Sequence, residues 1–284
     1  MSREPGCVFG SGGGVYRVRL DSGLEVDTSL RGRLKRESRT GERIVIGDRV
    51  EVSSGADGSC TIEEVKPRNT EIVRAGPGGR KPKVVAANVD RLLVVAAAAR
   101  PEPRQTLLDR LLVLGEANGL APILVMNKTD LVSEWKHQAR GDRDEESEAV
   151  PSFRRLLDLY RTVGYRVLET STVSGEGLEE LSRLLCTGTS ALLGPSGAGK
   201  SSLLNAIDEE LNLTTGELSH RRGHGRHTTV SARLIPLECG GLVADTPGFS
   251  DVGVWGVAPR EVEGCFPEFH PAREECRFRS CTHL

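Results

Sequence analysis

No apolar run in this chain approaches the roughly 18 residues of a membrane-spanning helix. The longest, Leu92 to Ala99, has the length of a buried strand. The N-terminus lacks the charged-then-apolar pattern of a secretory signal. Cysteines number seven, an odd count scattered over the chain, which is not the pattern of a disulfide framework. Together these absences predict a cytoplasmic protein with no membrane partner. Aromatic residues are scarce, at 4% of 284 residues, and a strong net charge is missing too, at -2. The overall balance therefore neither supports nor excludes an RNA partner, and local patches decide. Arg31, Arg33, Lys35, Arg36 and Arg39 form one basic patch, and the run His220 to His227 forms another, while Asp142 to Glu148 is mostly acidic.

What is present falls into blocks. From Cys7 to Thr70 come short β-prone runs broken by glycine: Val15–Leu20, Arg43–Ile46, Arg49–Val52 and Thr61–Val65. Strands at this spacing predict a small all-β barrel over residues 1–74. Its few aromatics, Phe9 and Tyr16, favour phosphate and shape contacts with nucleic acid over base reading. Gly76 to Pro82 is rich in glycine, proline and basic residues and reads as a linker, 75–84. Strand and helix then alternate through 85–252, predicting an α/β fold with a mainly parallel sheet and helices on both faces. Residues from Trp255 read as loop-like with cysteine and histidine, giving a last block at 253–284.

Two motifs carry the chemistry. Gly194-Pro195-Ser196-Gly197-Ala198-Gly199-Lys200-Ser201, followed by Ser202, fits the GxxxxGK[ST] phosphate loop. Its glycines let backbone N–H groups close around phosphates at a strand-to-helix turn. Lys200 is placed to reach the β- and γ-phosphates and Ser201 to ligate Mg²⁺. Asn127-Lys128-Thr129-Asp130 fits NKxD and follows an apolar strand. An ionised Asp130 only accepts hydrogen bonds, so it suits the N1–H and amino group of guanine and meets an acceptor in adenine. Asn127 would bond to N7 and the Lys128 stem would pack on the base plane. Asp245-Thr246-Pro247-Gly248 fits DxxG, with Asp245 on Mg²⁺ through water and the Gly248 N–H on the γ-phosphate. Ser171-Thr172, after a strand, matches half of the usual base-contacting loop.

The order of these elements is base-reading, base-contacting, phosphate loop, switch I, DxxG. That is a circular permutation of the usual GTPase order, and joining the ordinary chain ends would keep the sheet intact. Together with Ala87-Asn88-Val89-Asp90, Gly225-Arg226-His227-Thr228-Thr229, Asp245-Thr246-Pro247-Gly248-Phe249 and the tail from Phe266 through Cys276, Cys281 and His283, the chain resembles the ribosome small-subunit-dependent GTPase A family (RsgA, also called YjeQ). The resemblance implies an N-terminal OB-fold, a permuted GTPase core and a C-terminal zinc-binding domain. It further implies contact with small-subunit rRNA and a GTPase activity stimulated by the small subunit during its late maturation; a monomer that binds GTP and GDP is expected.

Two positions depart from the expected patterns. The residue after DxxG, where many GTPases carry a water-orienting glutamine, is Phe249. His227 is then the candidate to position water, a role the resemblance also favours, with contact to RNA phosphates as the competing reading. Thr228 or Thr229 would close on Mg²⁺ and the γ-phosphate, with Thr229 preferred. The family's zinc pattern has a further cysteine after Cys276, Cys281 and His283, and four-coordinate zinc needs a fourth ligand. That ligand lies beyond Leu284, or Cys265 or His270 replaces it, or zinc is absent. Other readings are a permuted GTPase acting on the large subunit and a nucleotide-regulated RNA-binding module with little catalysis.

Overall fold

The computed structural model describes residues 3–12, 14–32, 34, 43–76, 80–132, 153–214, 232–245 and 259–275. Strands β1 (Arg3–Gly12), β2 (Val15–Leu20), β3 (Glu25–Leu30), β4 (Arg49–Ser54) and β5 (Cys60–Val65) build the N-terminal part. They pair in the order β1-β2-β3-β5-β4, and β4 returns to β1, so the five strands close into a barrel consistent with an OB-fold. Their alternating inward residues, among them Val8, Val18, Leu20, Val50, Val52 and Ile62, form its core.

Two stretches of this part differ from the sequence expectation. Residues Arg43–Ile46 do not form a strand; only Ile46 makes an isolated bridge, to Ala86. The Asp48 carboxylate takes the Val45 N–H at 2.8 Å, which turns the backbone out of ladder geometry. Of the stretch 75–84 read as a linker, residues 75–76 lie in β6 (Glu71–Gly76) and residues 80–84 in β7 (Arg80–Ala87), an antiparallel pair. Cross-strand pairing overrides the breaker composition there, as tertiary context commonly does.

Beyond it, β8 (Arg91–Ala97), β9 (Pro122–Asn127), β10 (Arg166–Glu169), β11 (Thr189–Leu193), β12 (Arg233–Pro236) and β13 (Leu242–Asp245) lie in the order β10-β9-β8-β11-β13-β12. Every adjacent pair is parallel except the β12–β13 hairpin. Alternation along β8 divides the core into two layers. Leu92, Val94 and Ala96 face α1 (Gln105–Ala117) and α2 (Phe153–Val163), where Leu108, Leu111, Leu112, Leu156, Leu157 and Tyr160 cover them. Leu93 and Val95 face α3 (Leu178–Leu185) and α4 (Lys200–Ile207) through Leu181, Leu185, Leu203 and Leu204. The helical residues recur at three and four positions, the spacing of one buried stripe.

The segment read as loop-like contains helical turns instead: α5 (Pro259–Val262), two 3₁₀ turns over 263–265 and 267–269, and α6 (His270–Glu274). Proline at the first position of α5 suits a helix start, since its missing N–H would be unpaired anyway. The segment packs on α1 with Cys265 buried.

One covalent link was not expected from the cysteine count. Cys186, just after α3, and Cys239, in the β12–β13 turn, form a disulfide with Cα atoms 5.2 Å apart. Spacing rules detect frameworks in small secreted chains, whereas this pair meets only through tertiary structure. Cys7, Cys60 and Cys265 are free.

Polar contacts brace the barrel and tie it to the sheet. Asp48, fully buried, accepts from Arg68 Nε and Nη2 at 2.7 and 2.9 Å. Asn88 donates to the Gly47 carbonyl at 2.9 Å and accepts the Asn69 N–H at 2.8 Å. Gly10 of β1 pairs with Arg233 of β12, which makes one continuous sheet of eleven strands.

Candidate nucleotide site

Parallel strands present all their carboxyl ends at one sheet edge, and ligands bind where the strand order reverses direction. Here that point is β11, with β8 on one side and β13 on the other. The motifs read from the sequence sit in this row: Gly194–Ser201 follows β11, Asn127 ends β9, Ser171 follows β10 and Asp245 ends β13.

The phosphate-loop motif opens directly into α4, whose first residues are Lys200 and Ser201. Gly199 precedes them at φ +95°, and a Cβ there would fall 2.2 Å from Asn127 Nδ2. Only glycine allows both that backbone and that approach. Lys200 is 3% exposed, and its ammonium donates to two neutral carbonyls of its own loop, Gly194 O at 2.7 Å and Pro195 O at 2.9 Å. Burial pushes its pKa down to about 8. A buried cation held only by dipoles is costly unless an anion joins it. A phosphate group meets that need, so these residues fit a phosphorylated ligand. Ser201, 4% exposed on the same first turn, offers a hard oxygen of the kind Mg²⁺ prefers.

The base-reading motif is tied to this loop. Asn127 Nδ2 donates to Ala198 O at 3.0 Å, and Thr170 Oγ1 donates to Asn127 Oδ1 at 3.3 Å. Lys128 takes a left-handed φ of 63° and reaches the Arg100 carbonyl at 2.6 Å. Burial lowers its pKa, with neighbouring Asp130 opposing the shift. Ser171 is fully buried and has one hydroxyl proton, which it gives to Asp130 Oδ1 at 2.6 Å. Its oxygen meanwhile accepts the Val173 and Ser174 N–H groups, both at 3.1 Å. The two accepted bonds fix the hydroxyl's direction, which orients one Asp130 oxygen and leaves the other for a ligand. Thr172, beside Ser171, is half-buried.

At the opposite end of the row, Asp245 is paired with Arg233 Nε at 3.3 Å. The motif residues read from the sequence are thus brought together along one edge of the sheet. A profile of the RsgA GTPase family matches residues 65–255. The chain belongs to that family.

Relatives of the RsgA family agree over nearly its full length. The chain is 44% identical over 281 residues to the small ribosomal subunit biogenesis GTPase RsgA of Gemmatimonas aurantiaca, covering 98% of this chain and 86% of that one. It is 41% identical over 271 residues to RsgA of Moorella thermoacetica, covering 95% and 83%. Among solved structures, YjeQ from Thermotoga maritima is 31% identical with a TM-score of 0.73, covering 100% of this chain and 87% of that one. YloQ, described as a circularly permuted GTPase, is 27% identical with a TM-score of 0.69, covering 100% and 84%. The chain is accordingly a GTPase with the permuted architecture, and a GTPase family brings with it a guanine nucleotide and Mg²⁺.

Sequence reasoning passed over several residues of the site. Thr170 bridges the two base-side loops, and its carbonyl accepts the Thr129 N–H at 3.2 Å. Glu176 accepts Thr129 Oγ1 at 2.6 Å, closing the same junction from the other side. Arg100 and Arg233 serve Lys128 and Asp245. None lies inside a motif, and only three-dimensional proximity identifies them. Gly248, His227, Thr228, Thr229, Phe249, Cys276, Cys281 and His283 lie outside the described residues. Of the alternative zinc ligands, Cys265 Sγ donates to Glu261 O at 3.3 Å and His270 Nε2 meets Gly264 O at 3.1 Å. Among the described residues no three His, Cys, Asp or Glu side chains cluster to hold a metal.

Proposed function

We propose that this chain binds and hydrolyses GTP as a factor in late maturation of the small ribosomal subunit. The observation that carries the reading is Lys200, a buried cation beside neutral carbonyls and one residue from Ser201, in a loop tied by Asn127 to the base-reading motif. The names of the relatives, which describe small ribosomal subunit biogenesis, support the assignment of the partner.

In this reading Gly194, Ser196 to Gly199 and Ser202 surround the phosphates by their backbone N–H groups, while Pro195, which has no N–H, shapes the loop. Lys200 offsets charge on the β- and γ-phosphates, and Asp130 with Asn127, Lys128, Ser171 and Thr172 selects guanine. Ser201, Thr229 and Asp245, the last through water, would hold Mg²⁺, which when bound neutralises charge on the transferring phosphoryl group. Thr228 and the Gly248 N–H complete the γ-phosphate contacts, and His227 positions the attacking water.

The proposed organisation is a barrel over 1–74, a junction at 75–84, a permuted GTPase domain over 85–252 and a zinc-binding-type block over 253–284. Cys276, Cys281 and His283 would supply three zinc ligands. Arg17, Arg19, Arg31, Arg49 and Lys66 on the described barrel each face a carboxylate. Contact with rRNA is therefore assigned to the basic run containing Arg33, Lys35, Arg36 and Arg39. No helix of the described residues is long and apolar enough to cross a membrane, and the proposed setting is a cytoplasmic monomer.

GTP hydrolysis measured alone, with purified small subunits and with large subunits tests the assignment. Stimulation by small subunits alone is expected; equal rates in all three would overturn it. Substituting His227 by alanine should abolish the stimulated rate while GTP affinity stays near that of the parent chain, and an unchanged stimulated rate would remove its catalytic role.

A further inference from the structure

The Cys186–Cys239 bond joins residues separated by 53 positions and closes a segment that contains β11, the phosphate loop, α4 and β12. Both of its ends are held in place by contacts that do not involve sulfur. On the Cys186 side, Arg91 donates to Leu184 O at 2.9 Å, to Thr187 O, and to Thr187 Oγ1 at 3.0 Å. Asp90 accepts the Thr189 N–H at 2.7 Å. On the Cys239 side, Glu238 N donates to the buried Asp208 at 2.8 Å, and the turn is closed by Leu237 N to Gly241 O at 2.8 Å. The two sides touch directly: Leu242 N donates to Gly188 O at 2.9 Å, and a Cβ on Gly241 would fall 1.7 Å from Leu185 O. The backbone therefore keeps the two cysteines opposed at 5.2 Å between Cα atoms, within the range a disulfide needs.

Accessibility is unequal. Cys239 is exposed at the turn, while Cys186 is half-buried with Ser182 Oγ 3.5 Å from its sulfur. An exposed thiol next to a resolving partner is the arrangement of a thiol–disulfide exchange site. We propose that Cys186 and Cys239 are a reversible exchange site whose closure staples the phosphate-binding half of the sheet.

Low-molecular-weight disulfides of the glutathione class are the electron acceptor. The Cys239 thiolate attacks one sulfur, forming a mixed disulfide and expelling one small thiolate. The Cys186 thiolate then attacks Cys239 Sγ and expels the second. Two protons leave the protein, two electrons pass to the small disulfide, and it ends as two thiols. A dithiol reductant reverses the sequence. Because β13 leaves the stapled turn and ends at Asp245, closure restricts local opening of the hairpin that carries that carboxylate.

The test uses the full chain in reduced and oxidised glutathione buffers. Differential alkylation with peptide mass spectrometry reads the linkage, and backbone hydrogen exchange reads residues 232–245. The expected result is a linked Cys186–Cys239 peptide only in oxidising buffer, with exchange there slowed about tenfold. Cys239→Ser, at an exposed position that opens no cavity, should erase both differences. Cys186→Ser provides an independent second variant with the same expected result. Cysteines 186 and 239 remaining alkylatable under oxidation would overturn the proposal. So would a redox-dependent slowing that survives in either variant, or linkage with no change in exchange.

Discussion

The barrel and the nucleotide edge of the sheet handle charge in opposite ways. In the barrel the buried carboxylate of Asp48 is met by two of the three Arg68 guanidinium nitrogens, Nε and Nη2, at 2.7 and 2.9 Å. At the nucleotide edge the buried ammonium of Lys200 meets only carbonyl dipoles. A satisfied buried charge fixes structure; one lacking a counter-charge is ready for a ligand. The contrast sets residues that hold this molecule together against residues proposed to receive a substrate.

Breaking the barrel side should have the largest energetic effect. Asp48→Ala leaves the Arg68 guanidinium with only Glu71 and the Arg43 carbonyl, strips the Val45 N–H of its acceptor, and should cost about 3 kcal/mol in urea unfolding. GTP affinity of the folded fraction should be unchanged, and a parallel loss of both would show that the two regions are not separable. At the nucleotide edge the prediction inverts. Lys200→Ala should weaken binding of a fluorescent GTP analogue about a hundredfold, the scale of one lost charge-assisted contact. Its thermal midpoint should hold or rise, because an unmatched buried cation has been removed.

A smaller effect is expected at the junction of the two base-side loops. Thr170→Val removes the hydroxyl that holds Asn127 and should weaken GTP binding about fivefold, or about 1 kcal/mol. Binding of inorganic triphosphate should be unaffected. Least visible near neutral pH is Cys7, whose pKa burial pushes up to about 11 from 9.0. The folded state therefore keeps this proton across a window in which the unfolded chain has lost it. Its contribution to stability is complete below pH 9 and falls as pH rises toward 11. At pH 8 its alkylation should run about a hundredfold slower than that of an exposed thiol. A fast Cys7 reaction would mean that the barrel opens easily, and the contrast between a closed joint and a receptive edge would fail.

Local pattern made the α/β alternation legible, because buried strands and amphipathic helices write their periods into the chain. Gln105–Ala117 and Lys200–Ile207 are examples. The candidate site residues could be named from the chain because phosphate and guanine chemistry demands particular side chains at fixed spacing. What stayed hidden was set by contacts distant in sequence. Val45 is out of a ladder because of Asp48, β6 and β7 pair through a breaker-rich stretch, and Cys186 finds Cys239 only through packing. Thr170, Glu176 and Arg233 hold motif residues from outside any motif. Their side chains have no obligatory spacing, so a linear reading passes them by.

The pairing of Gly10 with Arg233 has a consequence for self-association. Strand β12 borders the nucleotide-binding sheet, and a bare border strand offers unpaired N–H and C=O groups to any passing copy. The barrel stands at that border and continues the sheet into a closed cylinder. Cut away from its barrel, the nucleotide-binding half would present β12 as a template for self-association. The N-terminal strands are thus a guard rail for the GTPase sheet as well as a candidate RNA surface.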